Sequence, residues 1–270
     1  MPRRLQRLDA ELVRRGLARS REHAVELITA GRVQVRGVVA AKAASGVDNE
    51  TPMRVVADTD DPGYASRGGH KLAGALAAFP DIHVDGRRCL DAGASTGGFT
   101  DVLLRAGAAE VVAVDVGYGQ LAWAVRSDER VRVVDRTNVR SLTADQIGGP
   151  VGLTVADLSF ISLGLVLPAL AACTEPDGDM LPMVKPQFEV GRHRLGSGGV
   201  VRDPQLRAEA VLGVAHAAAE LGWHPAGVVR SPLPGPAGNV EFFMWLHRND
   251  RAMLDDGRIA EIVMTAEEAP

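Results

Sequence analysis

Four side chains able to do acid–base chemistry stand where filling space explains them poorly. Lys185 ends the apolar run Leu181-Pro-Met-Val and is followed by a proline, a place where lysine is seldom mere filler. Glu241 shares a face with Phe243 and Trp245 if the segment alternates as a strand does, and a carboxylate there needs a partner. Asp157 closes the run Val151-Gly-Leu-Thr-Val-Ala. Lys71 follows Ser66-Arg-Gly-Gly-His and falls in the first turn of a helix predicted to begin near Gly69. A cation opposes the helix dipole at that point, although an ordinary exposed lysine accounts for the placement equally well. In chain order the four read Lys-Asp-Lys-Glu. A lysine beside a hydroxyl of high pKa stabilises the developing alkoxide and accepts its proton, carboxylates hold the lysines in place, and no metal is required.

A second constellation is Cys89-Leu-Asp-Ala-Gly-Ala-Ser-Thr-Gly-Gly-Phe-Thr100. An apolar run ends at Asp91, Gly93, Gly97 and Gly98 follow, and a helical pattern begins at once. Glycines let the backbone pass close under a ligand, and a helix start offers unpaired N–H groups. No Gly-Lys-Ser/Thr follows, and the Gly-x-x-x-Gly-Gly spacing is not the dinucleotide pattern. Asp91 suits an ammonium group and repels a pyrophosphate. Asp115 ends the buried run Val111-Val-Ala-Val, 24 residues after Asp91, where a carboxylate can accept both ribose hydroxyls of an adenosine. Asp135 or a nearby backbone group would meet the adenine. Phe160 either walls the pocket or joins the core. The plain alternative for the whole stretch is a glycine turn that packs a helix on a sheet.

The elements that must position these residues alternate. Strands are predicted at 88–91, 110–115, 131–134, 151–156, 179–184, 225–230 and 240–247. Helices are predicted at 97–106, 119–126, 143–147, 161–172 and 204–221. Such alternation implies an α/β fold with a doubly wound, mostly parallel sheet of seven strands, its last pair an antiparallel edge. Ligands bind such sheets at the carboxyl ends of the strands. Residues 248–270 are expected to form a peripheral helix and a loose end.

Charge separates a head from this body. Residues 1–42 hold ten Lys and Arg against four Asp and Glu, a surplus of six, while the whole chain carries −4. A basic head on an acidic body points to a polyanion. The head has two short helices, one capped by Ser20 with His23 three residues on, and strands about the Arg36-Gly37 turn. Thr59-Asp-Asp-Pro-Gly-Tyr-Ala-Ser66 reads as a linker, which gives domains at 1–58 and 67–270. Cys89 and Cys173 lie in apolar runs and need not pair, the charged first residues carry no signal-peptide pattern, and no span is long enough for a membrane. A reducing, cytoplasmic setting is expected.

Several strings resemble known families. Asp91-Ala-Gly-Ala-Ser-Thr-Gly-Gly-Phe99 resembles motif I of class I S-adenosylmethionine-dependent methyltransferases, a Rossmann-like fold. The resemblance implies that Asp91, Gly93, Ala94, Ser95, Gly97, Gly98, Phe99, Asp115, Val116, Asp157 and Phe160 bind S-adenosyl-L-methionine. Asp157-Leu-Ser-Phe160 lacks the prolines of the adenine-N6 enzymes, which points away from base amines. Lys71, Asp157, Lys185 and Glu241 resemble the catalytic tetrad of RNA ribose 2′-O-methyltransferases. The head, with Arg-Leu-Asp, Gly-Leu-Ala-Arg-Ser-Arg and Gly-Arg-Val-x-Val, resembles the α+β S4 RNA-binding domain. That implies RNA contacts from Arg4, Arg7, Arg19, Ser20, Arg21 and Arg32, with Arg67 beside them. Together with Ser-Arg-Gly-Gly-His-Lys-Leu, Asp-Val-Gly-Tyr-Gly-Gln-Leu and Val-Lys-Pro-Gln-Phe-Glu, these strings resemble the TlyA family over nearly the whole chain. Membership implies 2′-O-methylation of cytidines in 16S and 23S ribosomal RNA within 30S and 50S subunits. No stable membrane association or obligatory protein partner is implied. Two other classes stay open at this point: an S4-containing ribosome assembly protein whose methyltransferase fold is not catalytic, and a membrane-active haemolysin, a label the family also carries.

Overall fold

The computed structural model describes residues 5–18, 20–56, 62–248 and 253–266. Two units divide the chain, Met1–Pro62 and Gly63–Pro270. The first holds β1 (Gln6–Arg7), α1 (Leu8–Arg14), α2 (Arg21–Thr29), β2 (Val33–Val35), β3 (Val38–Val39), β4 (Gly46–Val47) and β5 (Met53–Val55). Ser20 Oγ accepts the His23 N–H at 3.2 Å and starts α2 as expected. Arg36 (φ 53°) and Gly37 (φ 82°) form the left-handed turn between β2 and β3. Leu8, Leu12, Ala24, Leu27, Ile28 and Val33 make the core. The β1–β4 pair went unforeseen, because two-residue strands carry no periodicity.

The second unit holds α3 (Arg67–Ala78), β6 (Arg88–Ala92), α4 (Gly98–Arg105), β7 (Glu110–Val114), α5 (Trp123–Arg126), β8 (Val131–Val134), β9 (Val151–Ala156), α6 (Leu167–Cys173), β10 (Thr174–Val184), α7 (Pro186–Glu189), α8 (Pro204–Ala219), β11 (His224–Arg230), β12 (Phe242–His247) and α9 (Asp256–Thr265). The seven strands lie in the order β11-β12-β10-β9-β6-β7-β8. β8 through β10 are parallel neighbours, and β12 runs antiparallel to both β10 and β11. The chain leaves β6 toward β7 on one side and returns to β9 on the other, so the strand order reverses at β6 and opens a crevice at the carboxyl ends. One apolar layer contains Leu72 of α3, Leu103 of α4 and Phe243. The other contains Leu170 of α6, Val211 of α8 and Ile259 of α9.

Several expectations need correction. Helix α3 begins at Arg67, so Lys71 is its fifth residue and the dipole argument for it fails. The 119–126 helix is only the single turn α5, since the chain takes left-handed backbone at Gly119. The 161–172 helix starts at Leu167, with Pro168 in its first turn, where a missing N–H costs nothing. The last pair does form the antiparallel edge, with β11 outermost and β12, the strand that Glu241 precedes, one place in. The expected linker lies partly outside the described residues. Its end is tied down, for the Ala65 N–H donates to Asp101 Oδ2 of α4 at 2.8 Å. Helix α9 is no mere periphery, because Ile259 and Val263 are fully buried.

Candidate active site

The four acid–base residues sort into two ion pairs. Lys71 Nζ stands 2.6 Å from Glu241 Oε2, and Lys185 Nζ stands 2.6 Å from Asp157 Oδ1. Lys185 also donates to Ser159 Oγ at 3.0 Å. Both lysines are 7% exposed and Glu241 is 1% exposed, so each charge depends on its partner. Glu241 immediately precedes β12, Lys185 follows β10, and Asp157 follows β9. Lys71 comes from α3, the helix layered on the Phe243 face. The partners of each pair are 170 and 28 residues apart, and nothing in the sequence paired them.

Beside the Lys185 pair lies a cavity of about 390 Å³, within the range typical for small-molecule ligands. Gly93, Ser95, Asp115, Val116, Asp157 and Phe160 line it. Gly93 has φ 89°, and a Cβ there would come within 2.6 Å of the Asp157 carbonyl oxygen, so only glycine serves. Asp115 accepts the Ser95 N–H at 2.8 Å and the Gly117 N–H at 2.7 Å, which aims the carboxylate while each oxygen keeps a free lone pair. Gln120, Thr137 and Asn138 complete the wall. They have no motif spacing, and sequence reasoning missed them. Asp135 does not reach the cavity; it accepts the Gly119 N–H and pairs with Arg126.

Five of the expected ligand residues stand behind this wall. Ala94 and Phe99 are core residues, Phe99 packing on Phe243 at 5.8 Å between centroids. Gly97 caps α4 in left-handed backbone. Gly98 permits close helix packing, since a Cβ would stand 2.8 Å from the Gly69 nitrogen. Asp91 is fully buried; Thr100 Oγ1 donates to its Oδ2 at 2.6 Å, and its Oδ1 has no hydrogen-bond partner. Burial pushes the Asp91 carboxyl up to about 7, against the Thr100 hydrogen bond and helped by the charges of Asp157 and Asp115. Three carboxylates and an unpaired buried oxygen fit a cationic ligand and disfavour a pyrophosphate.

A second cavity, of about 510 Å³, adjoins the first, with Ser159, Phe160 and Ile161 shared between them. Lys185, Gln187, Phe188 and Glu241 line it. The Lys185–Asp157 pair therefore bridges the two, its lysine in one and its carboxylate in the other. Phe160, which sequence left as wall or core, is 91% exposed, holds φ 64°, and packs at 5.2 Å on Phe188.

The FtsJ-like methyltransferase family model matches residues 64–248, and the S4 domain model matches residues 6–50. A 16S/23S rRNA (cytidine-2′-O)-methyltransferase, TlyA of Mycobacterium tuberculosis, is 63% identical over 93% of each chain. The chain belongs to the FtsJ-like methyltransferases, in the TlyA family. YqxC of Bacillus subtilis, described as a candidate rRNA methyltransferase, is 44% identical over 90% of this chain and 85% of its own. A solved structure of a candidate hemolysin from Streptococcus thermophilus superposes with a TM-score of 0.77 at 38% identity, covering 96% of this chain and 94% of that one. Among the described residues of this TlyA-family chain, no helix is long and apolar enough to cross a membrane.

In the S4 unit of this methyltransferase two buried acids organise the cations. Asp9 pairs with Arg7 at 2.9 Å and Arg21 at 3.0 Å, and Glu11 binds Arg14 and Arg15. Arg7 foremost holds Asp9, and Arg14 foremost holds Glu11, well below the usual carboxylate range. Ser20 spends its hydroxyl on the helix cap, and Arg32 donates to the Val56 carbonyl. Arg67 is exposed at the start of α3 in the second unit. Arg4 and Arg19 lie outside the described residues.

Proposed function

We propose that the chain is an S-adenosyl-L-methionine-dependent 2′-O-methyltransferase acting on cytidine ribose in 16S and 23S ribosomal RNA, within 30S and 50S subunits in the cytoplasm. The observation that carries this reading is the Lys185–Asp157 pair bridging two adjoining cavities. S-adenosylmethionine supplies a methyl group on a sulfonium, already a good leaving group. In the first cavity Asp115 would accept its ribose hydroxyls, and Asp91, buried behind the cavity wall, would favour its ammonium group through charge and not by direct contact. The nucleotide enters the second cavity, and Lys185 meets the 2′-hydroxyl: its ammonium, held by Asp157, donates to the developing alkoxide, and the hydroxyl proton is released to solvent as the methyl is transferred. Asp157 and Glu241 keep the two lysines in place, and the site's main task is to align oxygen and methyl in line. The S4 unit, which we take as residues 1–58, would hold RNA through phosphate contacts and shape.

The test uses tritiated S-adenosylmethionine with 30S and 50S subunits from a strain lacking the enzyme. Label surviving as an alkali-resistant dinucleotide is the expected result and identifies the subunit. Label on the base would discard the assigned roles of the two lysines. No label, with S-adenosylmethionine still bound, would move the substrate to another RNA.

A further inference from the structure

The string Val-Lys-Pro-Gln-Phe-Glu enters the mechanism only through Lys185, yet the single turn α7 reaches two other segments of the site. Gln187 Nε2 donates to Glu241 Oε1 at 3.1 Å. A carboxylate only accepts hydrogen bonds, so the amide nitrogen must face it. Glu241 Oε2 meanwhile holds Lys71. Backbone closes over the same carboxylate, for a Cβ on Gly235 would lie 2.6 Å from Glu241 Oε1. Two residues on, Glu189 Oε2 accepts the Ser162 hydroxyl at 2.6 Å and its Oε1 accepts the Leu163 N–H at 2.9 Å. These bonds anchor the far end of the segment 157–163, whose near end carries Asp157 and Ser159, both against Lys185. Lys185, Gln187 and Glu189 thus alternate along one turn, and each grips a different piece of the site. Pro186 stands at the first helical position, where its ring presets the backbone.

We propose that Gln187 and Glu189 are positioning residues, and that α7 keeps the Lys71–Glu241 and Lys185–Asp157 pairs in register with each other. The inference rests on the ribose methyltransferase reading. Gln187 acts through Glu241, and Glu189 acts through the segment bearing Asp157. Two ion pairs on separate strands need such a link, because a shift of about 1 Å between reacting groups can cost on the order of a hundredfold in rate. Burial holds the Glu189 carboxyl above its ordinary value, while the Ser162 and Leu163 bonds favour its ionised form.

The test compares Gln187→Leu, Glu189→Ala, Glu189→Gln and Ser162→Ala in the full chain. Methyl transfer to unmodified subunits is followed, and S-adenosylmethionine affinity is measured by calorimetry. Gln187→Leu and Glu189→Ala are expected to lower kcat about 10- to 100-fold, with KM for the subunits and cofactor affinity within about twofold of wild type. Glu189→Gln should recover most of the loss, since its amide oxygen accepts from Leu163 and its nitrogen donates to Ser162 Oγ. Ser162→Ala, which removes one bond and leaves the turn intact, should show a smaller fall. Wild-type kcat in both Gln187→Leu and Glu189→Ala overturns the proposal. So does a parallel fall of kcat, cofactor affinity and thermal midpoint that Glu189→Gln fails to relieve, because that pattern belongs to folding alone. The wild-type product is judged separately. Without ribose label the parent reading falls and this proposal falls with it, whereas ribose label with unaffected variants removes only the proposal.

Discussion

In the proposed mechanism Lys185 is the side chain that meets the reacting hydroxyl, and its environment dictates how a substitution should behave. Lys185→Ala removes the alkoxide partner without touching the glycine turn under the first cavity. Methyl transfer should fall about 10²- to 10⁴-fold while cofactor affinity by calorimetry stays near wild type. A parallel loss of cofactor affinity would place Lys185 in the wrong cavity. Glu241→Gln is a different experiment. It leaves Lys71 buried and uncompensated, so urea denaturation should report a loss of about 3 kcal/mol or more besides the loss of activity. Asp91 predicts a pH dependence. Its carboxyl, raised to about 7 in the folded protein, stays protonated where an unfolded aspartate has ionised. The folded state therefore binds the extra proton, and Asp91 lowers stability as pH rises from the unfolded value of 3.8 through about 7. An ammonium group that favours the ionised form reverses this for the complex. S-adenosylmethionine affinity should thus rise with pH up to about 7 and then level off, and Asp91→Asn should flatten the profile.

At the scale of elements, the start of α4 is a tight joint between two helices. Gly98 lies against α3 so closely that a Cβ would come within 2.2 Å of Ser66 Oγ and 2.8 Å of the Gly69 nitrogen. The hydroxyl can rotate away, but the backbone nitrogen cannot. Gly98→Ala should therefore push α3 from α4 and cost about 1–3 kcal/mol by thermal denaturation. Since α3 carries Lys71, kcat should drop as well; an unchanged melting curve would show that the helices have slack. Such joints were half legible. The glycines stood out by spacing, and Gly93 marked a turn under a ligand. That Gly98 serves the contact between two helices, and Phe99 the contact with Phe243, depends on which helix lies across the sheet from which. The last pair was legible as an antiparallel edge, but not which of its two strands lies outermost, since that depends on the pairing of β12 with both β10 and β11.

Over the whole molecule the charge is divided, with a basic head and an acidic remainder. Binding of the intact chain to ribosomal subunits should weaken steeply with salt, the log–log slope approaching roughly −0.7 to −0.9 for each phosphate contacted. A slope near zero in a filter-binding titration would remove the head from RNA recognition. The slope should be smaller than a bare count of cations implies. Asp9 and Glu11, both buried, tie up guanidinium groups of Arg7, Arg21, Arg14 and Arg15, so part of the surplus is spent inside the unit.

What the sequence determined by itself is whatever local periodicity and residue type encode. Alternating apolar runs specified the strands, Ser20 specified the start of α2, and the glycine spacing with Asp91 and Asp115 marked a ligand cradle. Asp157, Lys185 and Glu241 could be picked out because ionisable groups at strand ends are conspicuous against an apolar background, whereas Lys71 was singled out by a helix-start argument that its place inside α3 removes. Only the tertiary structure decided that Lys71 pairs with Glu241 and Lys185 with Asp157, that Phe160 stands exposed between two cavities, and that Gln187 and Glu189 fasten one turn to both pairs. Pairing is a matter of distance in space between segments far apart in the chain. It is set by the strand order β10-β9-β6 and by the helix laid over it, neither of which leaves a trace in local spacing.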